Sequence, residues 1–375
     1  MKSPDIFLKK SNFMTTIVFR TDASLTIGTG HVMRCLTLAQ ALKARGANCH
    51  FLCKTHTGHL IEKIISHGFP VFYLSPAKES PEPGDPVHAH WLGGSWKDDA
   101  AQSLSLLKKI QPDWVVVDHY GIDIRWEKEI RPYTEKLFVL DDLADRYHDC
   151  DILLDSGREP ESRDYIHLVP ANCILLLGTD YVLLREEFIR MRPESLKRRA
   201  NPVLRRILIT MGGMDTDNIT GNILQILSQA TFIKNIEIDI VLNSLAPHLS
   251  LIQQQIVNFH CPVHLHTDTP CMAKLMTESD LAIGAAGSTT WERCFMGLPS
   301  LVLCIAANQK TIAQKMKAEQ SAIIVPNNYS GIHSIPKTIQ NLKKSPDILK
   351  KLSDNCSKLI NTIKIKNIHK LLTTQ

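Results

Sequence analysis

The stretch TTIVFRTDASLTIGTGHVMRCLTLAQALKAR, residues 15–45, passes from a β-rich segment through a glycine-containing turn into an amphipathic segment. Thr15–Thr21 predicts a strand, and the apolar residues of 31–45 recur at helical spacing. Gly28 and Gly30 let the backbone turn tightly between the two. The stretch therefore predicts a β–α unit whose turn is open to a ligand at the start of the helix.

The same alternation continues along the rest of the chain. Continuous apolar runs, among them DWVVVD at 113–118, RILITM at 206–211 and LAIGA at 281–285, are separated by segments with helical periodicity. Such runs are typical of parallel strands that helices cover on both faces. The sequence therefore predicts an α/β protein with two doubly wound, Rossmann-like domains that face each other across a cleft.

Length and composition agree with this organisation. At roughly 150 residues per domain, a chain of 375 residues is long enough for two domains. We place the N-terminal domain at 15–190 and the C-terminal domain at 204–335. A basic tail at 336–375 follows, which we expect to be helical. With 44% hydrophobic and 22% charged residues, the chain does not have the composition of a disordered protein.

Charge and cysteine usage exclude several classes of partner. The net charge of +5 is concentrated in 197–206 and in the tail, which is too sparse for a nucleic-acid surface. No uncharged run reaches the roughly 18 residues of a membrane span, and no signal peptide is visible. None of the ten cysteines forms a C-x-x-C pair, so we expect a reducing, cytoplasmic setting. We also expect a monomer.

The glycine turn carries the first candidate catalytic residue. His31 follows Gly30 in the first turn of the predicted helix, where the helix dipole disfavours a charged imidazolium and leaves the ring able to accept a proton. As a dinucleotide fingerprint the motif is weak, because it lacks the third glycine. Asp22, together with Gly30, is a candidate for substrate binding. The alternative is that His31 only packs beneath the turn.

The stretch IGAAGSTTWERC, residues 283–294, repeats the pattern in the second half of the chain. Its small residues offer backbone N–H and hydroxyl donors to a diphosphate. Glu292 follows one helical turn later, where a carboxylate could bind both hydroxyls of a ribose. The alternative is a capping box with Thr289 as N-cap and Glu292 as its partner, and the local pattern leaves both interpretations open. The candidate nucleotide-binding residues here are Ala286, Gly287, Ser288, Thr289 and Glu292.

Three shorter motifs follow other predicted strands. Gly213 belongs to a Gly–Gly turn that could complete a nucleotide site. Tyr120 could donate a hydrogen bond to a sugar or a water, or could be a core tyrosine. Asn308 and Gln309 offer both donors and acceptors for sugar substituents, although a helix N-cap at Asn308 would also explain the pattern.

Histidine pairs give no support for a metal site. His264 and His266 form one H-x-H pattern, and His88 and His90 form another. Neither pair has a third ligand at a recognisable spacing, and H-E-x-x-H is absent. We therefore expect neither a metal nor a cofactor.

Taken together, the motifs resemble a known family. RTDASLTIGTGHVMRC, VVDHYGID, LDDLADR, ITMGGMD, IGAAGSTTWERC and the ANQ turn occur in this order between residues 17 and 325. They are similar to the UDP-sugar hydrolases of pseudaminic acid biosynthesis, which release UDP from UDP-2,4-diacetamido-2,4,6-trideoxy-β-L-altropyranose and are related to inverting glycosyltransferases of the GT-B fold. The chain departs from that family in a longer loop at 76–94 and in the basic tail.

The resemblance implies a GT-B-like fold and a metal-independent hydrolysis that inverts the anomeric configuration. It assigns the general base to His31, sugar contacts to Tyr120 and Asn308, and UDP contacts to Gly287, Ser288 and Glu292. Two other classes of function remain open at this point. One is a GT-B glycosyltransferase that moves the sugar from UDP to an acceptor, and the other is a nucleotide-sugar binding module that needs no base.

Overall fold

The computed structural model describes residues 14–77, 82–157, 163–257, 259–360, 368 and 370–372. Two parallel β-sheets with helices between their strands account for most of these residues. Within the described ranges, no helix has the length and apolar character needed to cross a bilayer.

The N-terminal sheet has seven strands in the order β3-β2-β1-β4-β5-β6-β7, and every pair of neighbours is parallel. Its first four strands are connected through helices, as the alternating pattern predicts. The strands are β1 Thr16–Thr21, β2 Asn48–Lys54, β3 Val71–Leu74, β4 Trp114–Asp118, β5 Lys136–Leu140, β6 Ile152–Asp155 and β7 Ile174–Leu177. The helices are α1 Gly30–Lys43, α2 Ile61–Ser66, α3 Trp96–Ile110 and α4 Ile124–Ile130.

The C-terminal sheet has six parallel strands in the order β10-β9-β8-β11-β12-β13. Its strands are β8 Arg206–Thr210, β9 Glu237–Leu242, β10 Val263–Thr267, β11 Leu281–Ala285, β12 Ser300–Leu303 and β13 Ile323–Val325. The helices are α5 Glu186–Arg198, α6 Ile219–Leu227, α7 Leu249–Val257, α8 Met272–Glu278, α9 Thr289–Phe295, α10 Lys310–Ala318, α11 Tyr329–Lys344 and α12 Pro346–Leu359.

Sheet order brings distant parts of the sequence together at the carboxyl ends of the strands. Thr21, at the end of β1, pairs with Asp118 at the end of β4. In the other sheet Thr210, at the end of β8, pairs with Gly284 on β11. The turns that follow these four strands therefore lie side by side within each domain, where ligands bind in open α/β sheets.

The predicted domain boundaries need correction, because both fall inside helices. Residue 190 lies within α5, where the fully buried Phe188 packs in a core cluster of the C-terminal domain. Residue 335 lies within α11, and Leu349 of α12 is buried in the same core as Ile339 of α11. Between residues 336 and 359, the segment predicted as a separate tail is thus mostly helical and forms part of the C-terminal domain. Ile368 packs against the core of the N-terminal domain.

Candidate active site

A cleft of about 480 Å³ lies between the two domains. Its lining comes from the turns that follow β1, β4, β5, β8, β9 and β11, so both sheets present the carboxyl ends of their strands to it. The volume falls in the range of roughly 300–1,000 Å³ that is typical of small-molecule sites. Of the residues predicted as site residues, the lining includes Gly30, His31, Tyr120, Gly213, Ala286, Gly287, Ser288, Thr289, Glu292 and Gln309.

His31 is held by a carboxylate on the N-terminal side of the cleft. The residue lies in the first turn of α1, and its Nδ1 atom is 2.6 Å from Oδ1 of Asp118 at the end of β4. In a neutral ring, Nδ1 therefore carries the proton that it donates to Asp118, and Nε2 is left as the acceptor. This arrangement is that of a general base with an orienting partner.

The carboxylate of Asp118 is itself fixed by Arg34, one turn further along α1. Arg34 donates from Nε to Oδ2 and from Nη2 to Oδ1 of Asp118, each at 2.6 Å. Complete burial of the carboxyl raises its pKa, but the charge of Arg34 and the neighbouring His31 outweigh burial and hold the pKa of Asp118 below its usual range. Asp118 is therefore ionised at neutral pH and stabilises a positive charge on His31.

Tyr120 adjoins the base and faces the same cleft. Its ring meets the His31 ring edge-on, with centroids 4.5 Å apart, and its hydroxyl donates to Asp142. Asp142 also accepts a hydrogen bond from Nη1 of Arg34 at 3.0 Å. The pKa of Tyr120 is raised well above its usual value, mainly by burial and secondly by the negative charge of Asp142. The phenol therefore stays neutral.

The long loop at 76–94 covers the outer side of this pair. Within it, a short 3₁₀ turn, Ala89–Leu92, places Trp91 in a stacked contact with Tyr120 at a centroid distance of 5.5 Å. A Cβ atom on Gly121 would lie 3.0 Å from the backbone oxygen of His88, so glycine is needed there for the loop to approach. Sequence reasoning assigned no role to this loop, and residues 78–81 lie outside the described ranges.

Asp22 lies behind the cleft, and this placement argues against the predicted sugar contact. Its carboxyl is fully buried, with Nη1 of Arg20 at 2.7 Å from Oδ1 and the backbone N–H of Lys54 donating to Oδ1 at 2.7 Å. Burial raises the pKa of Asp22, but the Arg20 charge and hydrogen bonds outweigh it and hold the pKa well below the usual value. We therefore reassign Asp22 to support of the β1–α1 turn.

Small residues bring the C-terminal domain close to the β1–α1 turn. A Cβ atom on Gly30 would lie 3.7 Å from Oγ of Ser288, and one on Gly213 would lie 3.4 Å from Oγ1 of Thr29. The start of α1 and the turns after β8 and β11 therefore meet along the floor of the cleft. Backbone N–H groups of these turns are the donor type that binds phosphates elsewhere.

Glu292 is not part of a capping box, so that alternative is wrong. The N-cap of α9 is Ser288, and it makes no side-chain capping bond. The Oε1 atom of Glu292 instead accepts a hydrogen bond from Nη2 of Arg185 at 3.1 Å. Its Oε2 atom is buried and has no hydrogen-bond partner among the residues that the structure describes. An orphaned acceptor of this kind, in a residue that lines the cleft, is suited to a ligand hydroxyl.

The turn after β12 is only partly described. Ala307–Gln309 forms a 3₁₀ turn, and Oε1 of Gln309 accepts a hydrogen bond from the backbone N–H of Ile305 at 3.0 Å. The side chain of Asn308 lies outside the described residues, so its assignment to substrate binding stays a prediction.

Several cleft residues escaped sequence reasoning. Asp118 and Asp142 were quoted within motifs, but nothing in the sequence shows which of their neighbours they contact. Arg34 was quoted only as part of the first motif, although its position one turn after His31 places both on one helix face. Arg185 lies outside all of the quoted motifs. Among the described residues, no group of three or more His, Cys, Asp or Glu side chains is placed to hold a metal ion.

Comparison with known proteins gives clear relatives, although no family model matches the chain. The chain is 30% identical over 298 residues to the UDP-2,4-diacetamido-2,4,6-trideoxy-beta-L-altropyranose hydrolase of Campylobacter jejuni, an alignment that covers 79% of this chain and 94% of the relative. It is 25% identical over 311 residues to the spore coat polysaccharide biosynthesis protein SpsG of Bacillus subtilis, covering 81% of each protein.

Solved structures agree with the fold. MurG of Acinetobacter baumannii superposes on this chain with a TM-score of 0.62 at 14% identity. The superposition covers 96% of this chain and 100% of MurG. The UDP-GlcNAc 2-epimerase of Neisseria meningitidis, bound to UDP-GlcNAc, gives a TM-score of 0.62 at 14% identity and covers 97% of this chain. At such low identity the likeness concerns the fold alone, and it confirms the predicted GT-B-like architecture.

Proposed function

Since the chain belongs to the family of the UDP-2,4-diacetamido-2,4,6-trideoxy-β-L-altropyranose hydrolase, we propose that it hydrolyses a UDP-linked 2,4-diacetamido-2,4,6-trideoxyhexose at the anomeric C–O bond. The products are UDP and the free sugar, which serves the biosynthesis of a nonulosonic acid of the pseudaminic type. The observation that carries this proposal is the His31–Asp118 pair at the edge of a cleft that both domains line.

The nucleotide occupies the C-terminal side of the cleft in this proposal. The turns around Gly213 and 286–289 present backbone N–H groups to the diphosphate. The ribose hydroxyls donate to Glu292, whose Oε2 atom has no hydrogen-bond partner within the described part of the chain. The negative charge that develops on the leaving UDP is stabilised by these fixed donors, so no metal ion is required.

The sugar then extends toward the N-terminal domain. His31 takes a proton from a water molecule through Nε2, because Asp118 holds Nδ1. The water oxygen forms a bond to the anomeric carbon from the face opposite UDP, and the bond between that carbon and the phosphate oxygen breaks with its electron pair passing to UDP. The configuration at the anomeric carbon is therefore inverted. Tyr120 and Asn308 contact the sugar.

Orientation of the base follows from the two contacts that hold Asp118. Arg34 fixes both carboxylate oxygens, so Asp118 cannot rotate away from His31 without losing two hydrogen bonds to a charged group. The buried carboxylate also compensates the positive charge that His31 gains when it removes the proton. Asp118 thus acts as a positioning residue, while His31 is the catalytic residue.

Hydrolysis in ¹⁸O-labelled water tests this proposal directly. The protein is incubated with the UDP-sugar and no acceptor, and the products are analysed by mass spectrometry and by NMR at early times. We expect the label on the anomeric hydroxyl of the sugar, none on UDP, and an inverted anomer as the first product. Label on the phosphate would mean P–O cleavage and would contradict the mechanism.

The same assay distinguishes the two other classes of function. A glycosyltransferase would release little UDP until an acceptor is added, and UDP release would then follow acceptor concentration. A binding module would retain the UDP-sugar unchanged in both conditions. Both outcomes refute hydrolysis, so the experiment decides between all three.

A further inference from the structure

A small side chamber of about 80 Å³ opens beside the main cleft. Five residues line both spaces, so the chamber and the cleft adjoin each other: Arg34, Asp142, Leu183, Ser288 and Ile312. The chamber is too small for a sugar ring or a nucleobase, but it can hold a small substituent. It therefore adjoins the position that the proposed function gives to the sugar.

The walls of this chamber are mostly apolar, whereas its mouth is polar. Asp142 is partly exposed at the mouth, with its side chain 30% accessible, and Arg34 lies beside it. The carboxylate offers acceptor positions beyond those used by Tyr120 and Arg34. The apolar wall consists of Leu154, Val182, Leu183, Trp291 and Ile312.

Charge at the mouth disfavours an anion as the occupant. The single positive charge of Arg34 is paired with two carboxylates, those of Asp118 and Asp142. A further phosphate or carboxylate would face a surplus of negative charge at short range. The apolar wall in turn disfavours a charged amine. A neutral group with one N–H donor and a methyl end satisfies both constraints.

The chamber floor is built to remain less charged than its composition indicates. The hydroxyl of Tyr165 lies 2.9 Å from Oδ2 of Asp141 and 2.9 Å from Oδ2 of Asp155, and its single proton can serve only one of them. Asp141 is paired with Arg146, with Nη1 at 2.8 Å from Oδ1. When Tyr165 donates to Asp141, the contact with Asp155 therefore favours a proton on Asp155. The pKa of Asp155 is raised to about 7, in agreement with this geometry. Burial is the largest cause, and the negative charge of the nearby Asp142 is the second.

We infer that the side chamber is the recognition site for an acetamido group of the sugar. The amide N–H donates to Asp142 at the mouth, and the methyl group enters the apolar space. This inference rests on the proposed function, since it takes the sugar to lie beside His31 and Tyr120. It also gives a role to the LDDLADR motif, in which Asp142 follows the buried Asp141.

Larger side chains that fill the chamber, introduced from one domain or the other, test the inference. Ser156 and Thr311 line the chamber but not the main cleft, and they belong to different domains. We expect Ser156→Leu and Thr311→Leu each to lower kcat/KM for the diacetamido substrate by roughly 10- to 200-fold, the range for about one methylene in an apolar pocket. Ser105→Leu, at an exposed position on α3, is the matched control and should leave kcat/KM unchanged.

A substrate analogue separates loss of the chamber from general damage. In the analogue, one acetyl group at a time is replaced by formyl, which retains the amide and removes the methyl. At one of the two nitrogens, the filled variants should lose less activity with the formyl analogue than with the acetyl substrate. Calorimetric titration of UDP should give wild-type affinity for both variants, which shows that they are folded.

The outcomes distinguish this inference from the proposed function. The wild type has a certain ratio of kcat/KM for the acetyl substrate to kcat/KM for each formyl analogue. If the wild type hydrolyses the substrate but Ser156→Leu and Thr311→Leu both show this same ratio at each nitrogen, the chamber does not bind an acetamido group. If the wild type releases no UDP from the diacetamido substrate, the proposed function itself fails.

Discussion

The Oδ1 atom of Asp118 lies 2.6 Å from Nδ1 of His31, although 87 positions separate the two residues in the sequence. The pairing of β1 with β4 produces this contact, because His31 follows the end of β1 and Asp118 is the last residue of β4. The base at the start of a helix and its orienting carboxylate at the end of a strand are therefore both held by regular elements of one domain. A site built on helices and strands holds its side chains in a more precise geometry than a site built on loops.

Replacement of the base should separate turnover from binding. We expect His31→Ala to lower kcat by roughly 10²- to 10⁴-fold, the usual contribution of a general base, while UDP affinity is nearly unchanged. Turnover is measured beside calorimetric titration of UDP. His67→Ala, at an exposed position after α2, is the control. Near-wild-type turnover of His31→Ala would remove this residue from the mechanism.

Loss of the orienting charge should act through kcat. In Asp118→Asn the amide cannot stabilise a charged His31, so we expect kcat to fall on the order of 10²-fold with little change in UDP affinity. The control is Asp113→Asn at the other end of the same strand, where Oδ2 of Asp113 accepts a hydrogen bond from the backbone N–H of Thr16 at 2.7 Å. That variant should lose stability in a thermal melt but keep kcat. Equal kcat for Asp118→Asn and the wild type would mean that the carboxylate is only structural.

Most of the fold and the local motifs could be predicted because their signals are contiguous. A buried strand, a glycine turn and an amphipathic helix follow one another around His31, and again around Ser288. Each unit therefore indicates its own cleft-facing turn. The order of the strands in the sheets decides which turns meet, and a single β–α unit does not contain that information.

The placement of Asp22 shows where contiguous signals fail. A carboxylate after a buried strand has the same sequence pattern whether it faces a ligand or the protein interior. Arg20 and Asp22 are two residues apart and so share a face of the chain. Arg20 pairs with both Asp22 and Asp99, each at 2.7 Å, and this buried cluster holds Asp22 in the interior. Asp99 lies on α3, far along the sequence, and its contribution could not be predicted.

A buried acid with a raised pKa should make the stability of the folded state depend on pH. The pKa of Asp155 is raised by burial to about 7, so between about pH 4 and 7 the folded state binds a proton that the unfolded state has released. The stability contribution of this group therefore decreases as pH rises through that window. We expect Asp155→Asn, which cannot ionise, to raise Tm at pH 8 and to change it little at pH 4.

Thermal melts across pH 4–8 check this expectation. Glu319→Gln, an exposed carboxyl at the end of α10, should leave the pH dependence of Tm as in the wild type. A difference between Asp155→Asn and the wild type that is constant across pH would show that Asp155 does not titrate in this range.

A chelator should leave activity intact. The described residues contain no grouping of three or more metal-ligating side chains, and the proposed mechanism stabilises the leaving group with backbone donors. We expect incubation with EDTA, followed by desalting, to leave kcat within error of the untreated protein. Loss of activity that Mg²⁺ or Mn²⁺ restores would contradict the proposal.

Glu292 is the residue at which nucleotide binding can be tested most sharply. Its Oε2 atom is buried and has no hydrogen-bond partner among the described residues, whereas Oε1 accepts a hydrogen bond from Arg185. If the carboxylate accepts hydrogen bonds from the ribose, Glu292→Gln removes the charge and one acceptor. We expect this change to weaken UDP binding by about 1–3 kcal/mol, the range for hydrogen bonds to a charged group.

Glu187 offers a matched control for the electrostatic part of that effect. It too pairs with Arg185, at 2.6 Å between Oε1 and Nη1, but it does not line the cleft. Glu187→Gln should therefore change the surroundings of Arg185 without changing a ligand contact, and UDP affinity should stay close to that of the wild type. Calorimetric titration of UDP into the three proteins, beside their thermal melts, makes the comparison. Equal weakening in both variants would assign the effect to Arg185, and unchanged affinity in Glu292→Gln would remove Glu292 from the ribose site.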